Sequence, residues 1–333
     1  MARNEKKKRE LREIFDDNHL MIVDTLFEKL GEDLSWTREW ETTGLWKYLD
    51  PRNSEGKPYS GCNELNLGVI AWKNGWADNR WFTIKKANEL GYKVRKGEHS
   101  SMVEHYGMRY MMFDKASGDV VKFAWSKPKD YDEKVHELRC WMAPHHFNNV
   151  FNAHQLEGIE LAAEPEKMPD KVLIPKVDRL IESSKVPVYE ERMTEPPHYA
   201  GTLLGGGYIK VPLRSDFHNI DAFASVVAHE MTHSTGPELG RDLTGKMGSP
   251  KYAKEELVAE LGSMFLCAAL GFDFHHKVER EENSAAYIAS WLKRTGNKDK
   301  ELDIYKAAQK ALKASKLLKE RYDGVGDKEE AAA

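Results

Sequence analysis

The stretch VVAHEMTHSTG, residues 226–236, sets His229 and His233 four positions apart with Glu230 directly after the first. On an α-helix such positions share a face, so both imidazoles reach one ion. A helix of this H-E-x-x-H kind supplies two zinc ligands and a carboxylate that holds a water against the metal. The competing reading is an ordinary amphipathic helix with polar residues on its outer side. With 13 histidines in 333 residues, the pattern alone leaves that choice open.

A catalytic zinc takes three protein ligands and keeps one position open for water. The third is sought in SPKYAKEELVAELGSMFLCAAL, residues 249–270, where Ser249 caps, Pro250 opens and Gly271 ends a second helix. Leu261, Met264, Phe265 and Leu266 make that helix a buried one, and carboxylates on a buried helix require partners. Glu256 and Glu260 share a face, whereas Glu255 points about 100° away. Glu256 as ligand, with Glu260 accepting a hydrogen bond from a ligand histidine, repeats a pairing common to zinc sites. The alternative, an exposed acidic face, has little room among the apolar neighbours. The expected cofactor is Zn2+, with Glu230 as general base for peptide hydrolysis. The strand GYIKVPL just before the metal helix is the expected edge for pairing a substrate backbone. Tyr252 and Tyr199 are the candidate oxyanion donors, and neither is assigned.

The elements that must hold these groups are legible nearby. Asp221 is the expected cap of a helix over 222–234, Phe223, Val226 and Val227 its apolar face, and Gly236-Pro237 its stop. Before it, KVDRLIESS reads as a helix and PVYEE and GYIKVPL as strands; the rest of the chain reads as helical, with a frayed GDKEEAAA tail. From Trp36 to about Val150, aromatic and β-branched residues alternate with turn signals such as Pro51, Gly61, Gly97 and Ser117-Gly118-Asp119. There WFTIKKANELG reads as a strand followed by a short helix, and KVRKGEHSSMVEHYGMRYMMF as strands joined by a turn. Residues 5–30 show a helical rhythm interrupted near Asn18, opened by a solvated Lys6-Lys7-Lys8-Arg9 run. The division expected is therefore 1–158, a Glu/Lys/Pro-rich linker over 159–175, and 176–333.

Composition limits the setting. A chain of 333 residues can bury a core in each of two domains. Cys62, Cys140 and Cys267 are far apart and show no CxxC spacing, which fits a reducing compartment. No apolar signal core and no membrane-length apolar run stand in the sequence, so a cytoplasmic location is expected, with no membrane partner. The net charge of −4 argues against wholesale coating of nucleic acid but hides local patches.

HEMTHSTG, followed by YAKEELVAELGSMFLCAALG and NSAAYIASWLK, resembles the zinc-metallopeptidase domain of the ArdC-type antirestriction proteins of conjugative plasmids and related phage elements. Upstream, PRNSEGKPYSGCNELNL, WFTIKKANELGYKVRKGEH and VFNAHQLEGIE resemble that family's N-terminal single-stranded-DNA-binding domain, which some plasmid primases share. The resemblance runs in order through most of residues 36–310. It implies an α+β fold: a small N-terminal α+β DNA-binding domain, then a mostly helical zincin-like, gluzincin-type metallopeptidase domain with a small sheet. It also implies His229, His233 and Glu256 as ligands and Glu230 as base. Pro237 stands where the family commonly shows His, and Tyr208 lies where an acidic residue is more usual nearby.

In the N-terminal part, basic residues interleave with aromatics, and single-stranded DNA binding uses that combination because cations track phosphates while rings stack on bases. Arg80, Trp81, Lys85, Lys86, Arg95 and Lys96 are the expected DNA-binding residues. Three functions compete: a DNA-associated zinc peptidase acting on an unidentified protein substrate, a protective DNA-binding protein with a structural metal, and a primase accessory module. Glu230 separates the first two, since a structural site has no use for a carboxylate on its open side.

Overall fold

The computed structural model describes residues 10–30, 41–42, 48, 50–163, 169–201, 206–246, 249–275 and 298–332. The Lys6–Arg9 run and the NSAAYIASWLK motif lie outside them. The fold is α+β, as the sequence suggests.

The chain opens with helix α1 (Leu11–Leu30), unbroken at Asn18, whose amide is turned inward to the buried carboxylate of Glu104 at 2.6 Å. Short strands β1 (Glu41–Thr42) and β2 (Arg52–Asn53) follow, then α2 (Cys62–Asn74), which Gly75 ends in the left-handed conformation. Next come β3 (Arg80–Thr83), α3 (Ile84–Glu89), β4 (Lys93–Val94), and the long strands β5 (Ser101–Asp114), β6 (Val120–Ala124) and β7 (His136–Asn152). Five strands make one sheet in the order β2-β3-β7-β5-β6, antiparallel except for the β2–β3 pair. Strand β4 pairs separately with β8 (Leu156–Glu157).

The second half begins earlier than the linker reading allows. Helix α4 (Asp170–Glu182) starts within the stretch read as linker, and Pro175 lies inside it, in the second turn, where its missing N–H leaves one intrahelical hydrogen bond unmade. Leu173, Val177 and Leu180 form the buried stripe that holds it down. Residues 160–162 are not free either: Arg80 donates to Glu160 O at 2.7 Å and the Ala162 N–H to Asp78 at 2.8 Å. Strands β9 (Val188–Glu190), β10 (His198–Gly201) and β11 (Gly207–Val211) form a small sheet in the order β10-β11-β9. Helices α5 (Ile220–Ser234) and α6 (Pro250–Leu270), strand β12 (Phe274–His275) and helix α7 (Lys298–Ala332) complete the chain. The C-terminal residues read as frayed continue α7. No helix among the described residues is long and apolar enough to cross a membrane.

One apolar core joins the two halves. Ile22, Val23 and Leu26 of α1 and Leu65 and Val69 of α2 pack in the same cluster as Phe223, Phe265 and Tyr305. The ring of His19 stacks on that of Tyr305 at 3.9 Å, and the Tyr305 hydroxyl donates to Asn66 at 2.7 Å. A cut after residue 158 would expose the apolar side of α1, so the N-terminal half is not tested fairly as a fragment.

Candidate metal centre

Helix α5 is set by local capping and by burial. Asn219, rather than the expected Asp221, is its cap, with the side-chain oxygen accepting the Ala222 N–H at 2.8 Å. Asp221 is buried in the first turn and accepts the Asp273 N–H at 2.9 Å instead. From Asp221 to Thr232 every residue of α5 is buried, so its polar side chains must find partners in the interior. Helix α6 follows its expected punctuation: Ser249 accepts from Tyr252 N, Pro250 opens the first turn, and Gly271 is left-handed.

The two helices lie against each other at small residues. A Cβ on Gly262 would stand 2.5 Å from Cγ2 of Thr232, so only glycine permits this approach. The next residue, Ser263, donates its hydroxyl to Ser225 O at 2.6 Å, fixing the pair axially. This contact sets the carboxylates of α6 against the imidazoles of α5.

His229 Nε2 lies 3.1 Å from His233 Nε2 and 3.5 Å from Glu256 Oε2, and His233 Nε2 lies 3.3 Å from Glu256 Oε1. Ligand atoms of these three residues stand within 4.8 Å of one another, the one such group that could hold a metal ion among the described residues. Each imidazole has a carboxylate on its other nitrogen. His229 Nδ1 is 2.9 Å from Glu260 Oε2, and His233 Nδ1 is 3.3 Å from Glu255 Oε1. The second of these was not expected, because Glu255 points away from the Glu256 face; that direction carries it to the far side of His233. Glu255 is in turn held by Arg241, which also donates to Thr232 O at 2.6 Å and to Thr235 Oγ1 at 2.9 Å.

The charges answer one another. Burial alone would raise the Glu256 carboxyl, but His233 and His229 hold it well below the ordinary range. Burial would lower the His233 imidazole, and the carboxylates of Glu256 and Glu255 outweigh it and raise it to about 10. Opposed shifts of this kind mark a pocket arranged around positive charge, which a divalent cation satisfies while displacing the proton. Two imidazole nitrogens and one carboxylate oxygen converging in a buried pocket fit zinc, with both imidazoles oriented from behind. Glu230, next to His229, is buried on the same helix.

Two further expectations change. Strand β11, which contains most of GYIKVPL, is the middle strand of its sheet, paired with β10 on one side and β9 on the other, so it offers no free edge. Among the described residues the free edges are β9 and β10, and β10 packs against α5. The Tyr199 hydroxyl on β10 donates to Gly206 O at 2.9 Å.

Among the residues expected to touch DNA, Trp81 is a core residue. Its side chain is 1% exposed and packs with Leu67, Val103 and Val150, so its ring cannot stack on a base. Arg80 is committed to Asp78 through contacts of 2.6 and 2.9 Å. Lys85, Arg95 and Lys96 are exposed and Lys86 is half-buried, and these four remain able to meet phosphates.

Residues 16–143 match the family described as the N-terminal domain of anti-restriction factor ArdC, and residues 175–310 match the zincin-like metallopeptidases. Over 300 residues the chain is 29% identical to a DNA primase TraC of Escherichia coli and 28% to a second, covering 89% of this chain but 19% and 26% of theirs. It is 28% identical over 260 residues to the uncharacterized protein y4eC of Sinorhizobium fredii (strain NBRC 101917 / NGR234), covering 78% of this chain and 76% of that one. The metal-free crystal structure of antirestriction protein ArdC from plasmid R388 superposes with a TM-score of 0.57 at 28% identity, covering 92% of this chain and 98% of that one. The Mn(II)-bound form gives 0.58 at 27% identity, covering 94% and 98%. The chain therefore belongs to the ArdC antirestriction family, with an ArdC N-terminal domain followed by a zincin-like metallopeptidase domain.

Proposed function

We propose that the chain is an antirestriction-type protein that hydrolyses peptide bonds at a zinc site and binds single-stranded DNA through its N-terminal half. The observation that carries the first part is the convergence of His229, His233 and Glu256 within 4.8 Å, with Glu260 and Glu255 behind the two imidazoles. His229, His233 and Glu256 would hold the ion, and bound zinc supplies Lewis acidity toward a carbonyl and toward water. Glu230 takes the proton of the attacking water and delivers it to the departing amine. The buried walls of α5 and α6 keep bulk water from the reacting groups. A substrate backbone pairs with the free edge of β10 rather than with β11.

The Mn(II)-bound ArdC relative supports a divalent-metal site without choosing the metal. The donor set favours zinc, because two imidazoles and one carboxylate with an open position match zinc hydrolases. The single-strand part is supported by exposed cations in the ArdC N-terminal domain and by likeness to part of proteins named DNA primases. The test is cleavage of a denatured-protein substrate by the purified full chain, abolished by a chelator and restored by zinc. Persistent cleavage after complete metal removal would overturn the peptidase reading.

A further inference from the structure

The outer parts of β5 and β7, residues 107–114 and 136–143, pair with each other, and β5 pairs with β6 on its other side, yet only Met112 among these residues and those of β6 is buried. The register sets Arg109 opposite Trp141 and Met111 opposite both Arg139 and Phe123. Strand alternation then places these side chains on one face of the ribbon. Phe123 is 52% exposed, and Trp125 and Trp141 are 41% exposed. Large aromatic rings left in water on one surface mark a binding site.

Cations sit among these rings. The guanidinium of Arg109 lies 5.4 Å from the Phe123 ring centre and 4.8 Å from that of Trp125, and Arg139 lies 4.7 Å from Phe113. Trp125 meets His145 at 4.5 Å, and it can approach the strand because Gly107 has no side chain; a Cβ there would stand 3.2 Å from the indole. These contacts order the rings before any ligand arrives, which lowers the cost of binding. Of the acidic groups on the ribbon, Glu137 pairs with Arg139 at 2.6 Å and Asp130 with Lys122 at 2.9 Å.

We propose that this face of the β5–β6–β7 ribbon is a base-stacking platform for a single-stranded polynucleotide, with Phe123, Trp125 and Trp141 taking bases and Arg109 the phosphates between them. Bases of a single strand expose their faces to rings, whereas those of a duplex are already stacked. A guanidinium among the rings matches a polyanion and would be stranded against an apolar protein surface. The inference rests on the single-strand reading above for its ligand class, and it moves the stacking role from Trp81 to the outer ribbon of β5, β6 and β7. Lys85, Arg95 and Lys96 then serve phosphates alone.

The experiment compares binding of labelled oligothymidylate and of an abasic strand of equal length to the native full chain, by fluorescence anisotropy. Stacking predicts tighter binding of the oligothymidylate, and Trp125→Ala and Phe123→Ala each weaken it by about tenfold or more while leaving the abasic strand unaffected. Lys85→Ala weakens both strands alike. The three positions are exposed, and equal thermal melting of native protein and variants checks their folding. Equal affinity for both strands, or native affinity in the ring variants, overturns the platform while leaving single-strand binding in place. No binding of either strand removes both. A native dimer that the ring variants dissociate in sedimentation makes the face a seam between copies, against the proposal.

Discussion

The Oε1 atom of Glu255 lies 3.3 Å from Nδ1 of His233, on the opposite side of the imidazole from Glu256. Glu260 stands in the same relation to His229 at 2.9 Å. Two carboxylates of one helix thus orient two imidazoles of another, and a third, Glu256, lies between them.

This arrangement ranks three substitutions. Glu255→Gln and Glu260→Gln are each expected to weaken zinc by roughly 10- to 100-fold, because they leave the ligands in place but loosen their tautomer and orientation. Glu256→Gln removes a ligand and weakens it further. Competition against a chelator of known affinity measures all three; a larger loss in Glu260→Gln than in Glu256→Gln would exchange their roles.

The approach of α5 to α6 at Gly262 gives a steric prediction. Gly262→Ala places a methyl 2.5 Å from Thr232 Cγ2 and drives the helices apart, at a cost of about 1–3 kcal/mol in overpacking. Thr232→Ala in the same chain removes the clashing atoms and recovers part of the loss. Urea unfolding of the single and double variants reads this; an additive double variant would show that the two side chains do not meet.

Asp78 gives a pH prediction in the N-terminal half. Burial would raise its carboxyl, but hydrogen bonds from Arg80 and from the Ala162 and Arg80 backbone outweigh that and hold it below the ordinary value of 3.8. Because the folded value is the lower one, the stabilisation is complete above the unfolded value and fades as pH falls from about 4 toward the folded value. Asp78→Asn is expected to cost about 1–3 kcal/mol at neutral pH and to flatten the acid limb of the stability curve. An acid limb unchanged by the substitution would mean that Asp78 contributes nothing to it.

How far the sequence reaches is clear from particular residues. The spacing of His229, Glu230 and His233 is local helical geometry, and so are the Ser249 cap and the Gly271 stop, whereas Glu256 meets the imidazoles only through the packing of α6 on α5. Asn219 and Asp221 are both good caps two residues apart, and the choice fell to a distant demand, the Asp273 N–H that Asp221 satisfies. Glu255 lies off the face that Glu256 and Glu260 share, and the back of His233 needs a residue on the neighbouring face. Trp81 looks like a stacking residue among cations, but β3 lies between β2 and β7, and its inward ring is fixed by that topology. The middle position of β11 is likewise a matter of pairing between strands, which no local pattern encodes.

Metal analysis of the purified full chain and two variants tests the central claim most directly. If His229 and His233 hold the ion while Glu230 acts only on its water, the native protein carries one zinc per chain, Glu230→Ala retains it and loses peptidase activity, and His229→Ala is empty and inactive. A native protein without zinc after purification in zinc-containing buffer, or a Glu230→Ala variant emptied of metal, would contradict the account.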